Sequence, residues 1–176
     1  MIRSFNGKTP QIADSAFISE AAYVVGDVEI GDNCSVWPGA VIRGDVGCIR
    51  IGNNTIVEDT CVIHSGSPST PGCIADITIG DNVEIGHGAV INCCRIDNNV
   101  LVGMNATILH DAEIGDSSVI GAGCVVRQGM KIPARSFVAG VPGKIRGEAS
   151  PRQLWWVQEG LPIYNRLAQQ YKEEGL

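Results

Sequence analysis

Residues 96–138 read IDNNVLVGMNATILHDAEIGDSSVIGAGCVVRQGMKIPARSFV. Every sixth position is Ile or Val: Ile96, Val102, Ile108, Ile114, Ile120, Val126, Ile132 and Val138. An α-helix repeats every 3.6 residues and a flat strand every two, so a period of six belongs to neither. It is the hexapeptide repeat of a parallel β-helix. Three hexads close one triangular coil of about 18 residues, and coils stack at the inter-strand spacing of ~4.8 Å. Working outward, the same step recurs at Ile12, Ile18, Val24, Ile30, Val36 and Ile42, again at Ile51, Val57 and Ile63, and again at Ile79, Ile85 and Ile91. A five-residue step from Ile91 to Ile96 joins the last group to the first stretch.

A second column supports the coil register. Four residues after the Ile/Val stands a small residue, as at Ala16, Ala22, Val28, Cys34, Ala40, Cys61, Ala89, Ala106, Ala112 and Cys124. That position is expected to point inward where space is short. Gly then Asp or Asn often follows the Ile/Val, as in Gly31-Asp32-Asn33 and Gly80-Asp81-Asn82, and both Gly and Asn tolerate turns with positive φ. About seven coils are expected over residues 10–141. The pattern stops near Val141-Pro142-Gly143, so residues 1–143 form the repeat domain and 144–176 a C-terminal helical segment. Ser150-Pro151 reads as an N-cap and N1 pair. Two short helical pieces are expected, roughly 151–159 and 163–174, lying on the prism or on a neighbour.

Composition narrows the function classes. The chain has 176 residues, 18% of them charged and only 5% aromatic, with a net charge of −6. The core must therefore be aliphatic. There is no Lys/Arg run, so nucleic acid is not an expected partner. No apolar stretch approaches the roughly 20 residues that span a bilayer, and the first residues lack a signal peptide's apolar region, so the expectation is a soluble, cytoplasmic protein.

Of the seven cysteines, Cys34, Cys61 and Cys124 sit at the small inward position and are expected to be buried free thiols. There is no CxxC pair. In the vicinal pair Cys93-Cys94, Cys94 is expected to point inward and Cys93 outward, where redox or metal chemistry would be open to it. The three histidines are His64, His87 and His110. His64 is position two of a third-face hexad and His87 position three of a second-face hexad, so their side chains diverge within one chain. Three prisms around a parallel three-fold axis would bring them together, which makes a metal-linked homotrimer the natural hypothesis.

The chain resembles the γ-class carbonic anhydrases and their hexapeptide-repeat relatives. The resemblance rests on Val41-Ile42-Arg43-Gly44-Asp45, on Asp59-Thr60-Cys61-Val62-Ile63-His64, on Ile79-Gly80-Asp81-Asn82-Val83-Glu84-Ile85-Gly86-His87-Gly88-Ala89-Val90 and on Val138-Ala139-Gly140-Val141-Pro142-Gly143-Lys144. It implies a left-handed, all-β parallel β-helix and a zinc ion bound by three histidines at a trimer interface. His64 matches the first ligand and His87, from the neighbour, the second. The third falls on Asn92, a departure, because a neutral amide is a poor zinc ligand. A glutamine of the family matches Glu58, a second departure. Arg43 and Asp45 match its Arg-Gly-Asp segment. By coil counting His110 lies one coil beyond Asn92, within about one residue of its column, and is the other candidate for the third place.

The leading expectation is thus zinc-dependent hydration of carbon dioxide to bicarbonate, with Glu58, Arg43 and Asp45 serving the reaction and His64, His87 and His110 or Asn92 holding zinc, another divalent metal or none. Plain alternatives are a solvated strand charge for Glu58 and an ion pair with Asp45 for Arg43. Two other readings stand beside it. One is a degenerate, non-catalytic assembly relative, favoured by Asn92. The other is an acyl-coenzyme A enzyme of the wider hexapeptide class with His110 or His87 as base.

Overall fold

The computed structural model describes residues 1–66 and 76–176. The seventh cysteine, Cys73, lies outside those residues. The chain winds as an all-β, left-handed parallel solenoid of about seven coils followed by a single helix. The second face shows the stacking most simply. Its strands run Phe17–Ile18, Ser35–Val36, Ile56–Val57, Glu84–Ile85, Leu101–Val102, Val119–Ile120 and Ser136–Ala139, each parallel to the last. An antiparallel strand, Lys144–Glu148, closes that sheet, in a stretch where the sequence reading had placed no strand.

The hexad arithmetic is realised rung by rung. Of the Ile/Val ladder, all but Ile12 and Ile18 are buried, and those two pack against the same core. The register sets like on like: Ile42 pairs with Ile63, Ile63 with Ile91, Ile91 with Ile108. Each fully buried Ile contributes roughly 1.5–3 kcal/mol of transfer free energy. The small column is buried throughout, including Cys34, Cys61 and Cys124, which are free thiols. Burial pushes the Cys61 thiol up to about 12, so it stays neutral.

Two local expectations need correction. The Gly that follows the Ile/Val does not carry the positive φ; the Asn two residues later does, at Asn33, Asn54, Asn82 and Asn105, and Asn99 does so where Asp97 stands in place of the Gly. Three of these stack their amides, Asn54 donating to Asn82 (3.3 Å) and Asn82 to Asn99 (3.2 Å). The Gly is required by coil spacing instead: a Cβ on Gly103 would lie 2.5 Å from the Ala122 backbone nitrogen. Cys93 does not face outward. It is 1% exposed inside the prism, and Cys94 beside it is also buried. The five-residue step has one residue too few to keep an outward position there.

The C-terminal segment lies back on the second face. Ser150 and Gln153 form a reciprocal cap: Ser150 N–H donates to Gln153 Oε1 (2.8 Å) and Gln153 N–H to Ser150 Oγ (3.3 Å). The expected helical piece at 151–159 is a turn followed by a π-helical turn, Trp156–Gly160, that runs straight into an α-helix, Leu161–Glu174. Pro162 does not interrupt it; it sits at the start of the α-helical stretch, where its fixed φ suits the helix. Val157, Leu161 and Ala168 pack on Phe17, Trp37 and Ile56. Ring centroids of Trp37 and Tyr171 are 5.2 Å apart, edge to face. No helix among the described residues is long and apolar enough to cross a membrane.

Candidate functional site

The third face carries one polar column. Arg43 is in register with His64, and one residue beyond the Ile63, Ile91 and Ile108 pairings come His64, Asn92 and Leu109. Backbone bonds fix it: Asn92 N–H donates to Ile108 O (2.9 Å) and Leu109 N–H to Val126 O (3.1 Å). Leu109 therefore occupies the column beyond Asn92, and His110 follows one residue later.

Arg43, Asp45 and His64 form a closed triangle. Arg43 Nη1 reaches Asp45 Oδ2 at 2.6 Å, Arg43 Nη2 reaches His64 Nδ1 at 3.3 Å, and His64 Nε2 reaches Asp45 Oδ1 at 3.2 Å. A guanidinium only donates, so Nδ1 accepts and Nε2 carries the proton given to Asp45. Burial works against the Asp45 charge, but the Arg43 guanidinium outweighs it and holds the carboxyl below its ordinary value. Asn92 Nδ2 donates to the His64 carbonyl at 2.6 Å. Its Oδ1 is buried and has no hydrogen-bond partner among the described residues.

His87 stands at the corner after Glu84–Ile85. Its Nδ1 lies 2.9 Å from Asp59 Oδ2 and its Nε2 3.3 Å from Glu58 Oε2. Carboxylates thus face both ring nitrogens, Asp59 the nearer, and they fix the ring orientation. Glu58 is no solvated strand charge. It is 3% exposed, takes the His87 backbone N–H at 2.8 Å, and accepts the Tyr164 hydroxyl from the C-terminal helix. Those donors are what make a buried carboxylate tolerable. Burial and then the Glu58 acceptor push the Tyr164 phenol up, so it remains a donor.

His64 and His87 thus have separate partners in one chain, as the hexad positions anticipate. Among the described residues of one chain no three His, Cys, Asp or Glu side chains gather at metal-holding distance. The sequence reading overlooked Glu84 and Tyr164. Glu84 is on the same outward face as Glu58, opposite Ile56 on the neighbouring coil. It is 5% exposed, and burial, then the charge of Glu58, push it up to about 7. A signal was present: Glu84 occupies an outward column in which its neighbouring rungs are Ile56 and Leu101, with Val119 beyond. Tyr164 had none, since it reaches Glu58 across 106 residues of sequence. Both carboxylates, with His87, Leu101, Val119 and Trp156, line a cavity of about 290 Å³ beneath the helix.

Known proteins share this framework. The family described as Bacterial transferase hexapeptide (six repeats) matches residues 9–44 and 93–128. A Methanocaldococcus jannaschii protein named "Probable carbonic anhydrase" is 47% identical over 160 residues, 90% of this chain and 96% of that one. The mitochondrial gamma carbonic anhydrase 2 of Arabidopsis thaliana is 33% identical over 167 residues, 95% of this chain, which spans 60% of that relative's length. A solved hexapeptide transferase family protein from Anaplasma phagocytophilum superposes with a TM-score of 0.87 at 31% identity, covering 97% of both chains. By fold, motif and relatives, the chain belongs to the γ-class carbonic anhydrase-like hexapeptide-repeat family.

Proposed function

We propose that the protein is a homotrimeric carbonic anhydrase that interconverts carbon dioxide and bicarbonate, with His64 and Asn92 of one copy and His87 of the next holding a divalent metal, zinc foremost. The observation that carries it is the Asn92 side chain. It stands beside His64 in register, with a buried Oδ1 that no donor satisfies. A buried acceptor left in that state is costly, and a cation removes the cost. The donor set fits a metal: two imidazoles, that of His87 with Asp59 on its Nδ1, and one amide oxygen, a weaker third than imidazole. At such a site a divalent metal acts as a Lewis acid that makes water nucleophilic near neutral pH.

The chain's own residues supply the rest. Glu58, fixed by Tyr164 and the His87 N–H, is placed to orient water or take its proton. Arg43, held by Asp45, offers a guanidinium for the bicarbonate anion. His64 gives up its hydrogen bond to Asp45 when its Nε2 becomes a ligand, so Asp45 competes for that nitrogen. A cytoplasmic location belongs to the proposal, and the six described cysteines, all free, support it.

The test is metal content of protein purified without chelators, followed by zinc titration and carbon dioxide hydration. Asn92→His is expected to tighten zinc by about tenfold or more and to raise activity. His64→Ala is expected to abolish binding and His110→Ala to change little. Unchanged zinc affinity in Asn92→His would sink the Asn92 assignment, and loss of metal in His110→Ala would move the third place to His110. A second reading, a non-catalytic assembly relative, draws on the same amide. It predicts a trimer that stays metal-free in wild type and in Asn92→His alike.

A further inference from the structure

The cavity beside His87 holds chemistry that carbon dioxide hydration does not use. Along the second face the outward rungs from the third coil on run Ile56, Glu84, Leu101, Val119 and Phe137, so one carboxylate interrupts an apolar stretch of the column. Glu84 is 5% exposed, lines the cavity, and its Oε2 is buried with no hydrogen-bond partner among the described residues. The other carboxylate there, Glu58, already receives the Tyr164 hydroxyl and the His87 N–H, so Glu84 is the acceptor still open. No Lys or Arg lines the cavity. A buried acceptor without a donor, beside a second carboxylate and with no Lys or Arg among the described lining residues, calls for a cation that brings N–H groups.

We propose that this cavity binds a small organic ammonium ion with an apolar body, its N–H groups on Glu84 and its carbon chain against Leu101 and Val119. The apolar walls and the Trp156 indole at the rim favour an organic cation over a hydrated metal ion. The volume, about 290 Å³, is at the small end of ligand cavities, which suits one short amine. A primary or secondary amine fits better than a quaternary one, because the Glu84 oxygen needs a hydrogen to accept. The site adjoins Glu58 and His87 but does not depend on a metal.

Isothermal titration of the full chain with n-hexylammonium chloride, and separately with hexan-1-ol, tests it, before and after treatment with a chelator. Saturable hexylammonium binding is expected, about tenfold or more tighter than hexanol, and unaffected by the chelator. Glu84→Gln keeps the side-chain volume and removes the charge. It is expected to lose about tenfold or more of the hexylammonium affinity while leaving hexanol binding in place and still unfolding in one cooperative thermal transition. Equal binding of the two probes would show an apolar hole without a cation site and overturn the proposal. So would full affinity in Glu84→Gln, or no hexylammonium binding at all. Should Glu84→Gln fail to fold, the comparison of the two probes on the native chain still decides. Hexylammonium bound to chelated protein that hydrates no carbon dioxide would separate this site from any failure of the metal assignment.

Discussion

The prism interior and the layer beneath the C-terminal helix are both apolar, but they are built in opposite ways. The interior repeats one solution: Ile on Ile or Val at the ladder, mostly Ala, Cys or Val at the small position, and no aromatic ring among the described core residues. The layer is assembled once, from Phe17, Trp37, Tyr164 and Tyr171, whose rings meet edge-on or tilted at 5.2–5.7 Å. In the interior each rung is supported by identical rungs above and below. In the layer each contact joins residues far apart in sequence, and no other contact repeats it. The polar groups with chemistry in them, Glu58, Glu84, His87 and Tyr164, sit where the two constructions meet.

The sharpest way to break the comparison is to cut a rung. Ile85 is fully buried, paired with Val57 on one side and Val102 on the other. Ile85→Ala leaves a cavity walled by backbone that is already at its closest spacing, so the coils have little room to collapse. A loss of about 3–5 kcal/mol is expected in urea unfolding. A loss under about 1 kcal/mol would mean the stack relaxes and the repeat is softer than its register implies.

The same contrast explains what could be read in advance. A period of six is visible in any one stretch, so the ladder, the small column and the three buried thiols followed from the sequence. Cys93 was misplaced because the pattern loses a residue between Ile91 and Ile96, and periodicity has no answer where the period breaks. The glycines were assigned to turns because Gly suits positive φ, whereas coil spacing is what demands them. The separation of His64 from His87 followed from counting hexads. The Tyr164 contact to Glu58 did not, because where a helix lies across a prism depends on packing partners that leave no local signature.

A second test reads the seam between the two regions. Glu84 titrates near 7 in the folded chain against 4.5 for an ordinary carboxyl, burial being the first cause and Glu58 the second. Below pH 4.5 both the folded and unfolded chains hold the proton. Between 4.5 and about 7 the folded chain keeps a proton that the unfolded chain has released, so stability falls as pH rises through this window. The fall attributable to Glu84 is about 3 kcal/mol, complete near pH 8. Glu84→Gln has no such group. Its stability relative to wild type is expected to rise by that amount from pH 4.5 to 8, measured by urea unfolding at each pH. A constant difference across the range would mean that Glu84 is solvated in solution.

The smallest expected effect isolates the one hydrogen bond that ties the layer to the site. Tyr164 and Tyr171 both present ring edges to Trp37, at 5.6 and 5.2 Å. Only Tyr164 also donates its hydroxyl to the buried Glu58 carboxylate. Tyr→Phe at either position keeps the ring packing, so the difference between the two variants reports the hydroxyls alone. Tyr164→Phe leaves Glu58 buried with one donor fewer, at a cost of about 1–2 kcal/mol. Tyr171→Phe is expected to stay within about 0.5 kcal/mol of wild type. Because the Tyr164 phenol is pushed above its ordinary value, it remains protonated into alkaline solution, and the gap between the variants should persist at pH 9. In a Trp37 fluorescence-monitored melt, equal losses for the two variants would mean that the helix is held by ring packing alone and that Glu58 finds its donors elsewhere.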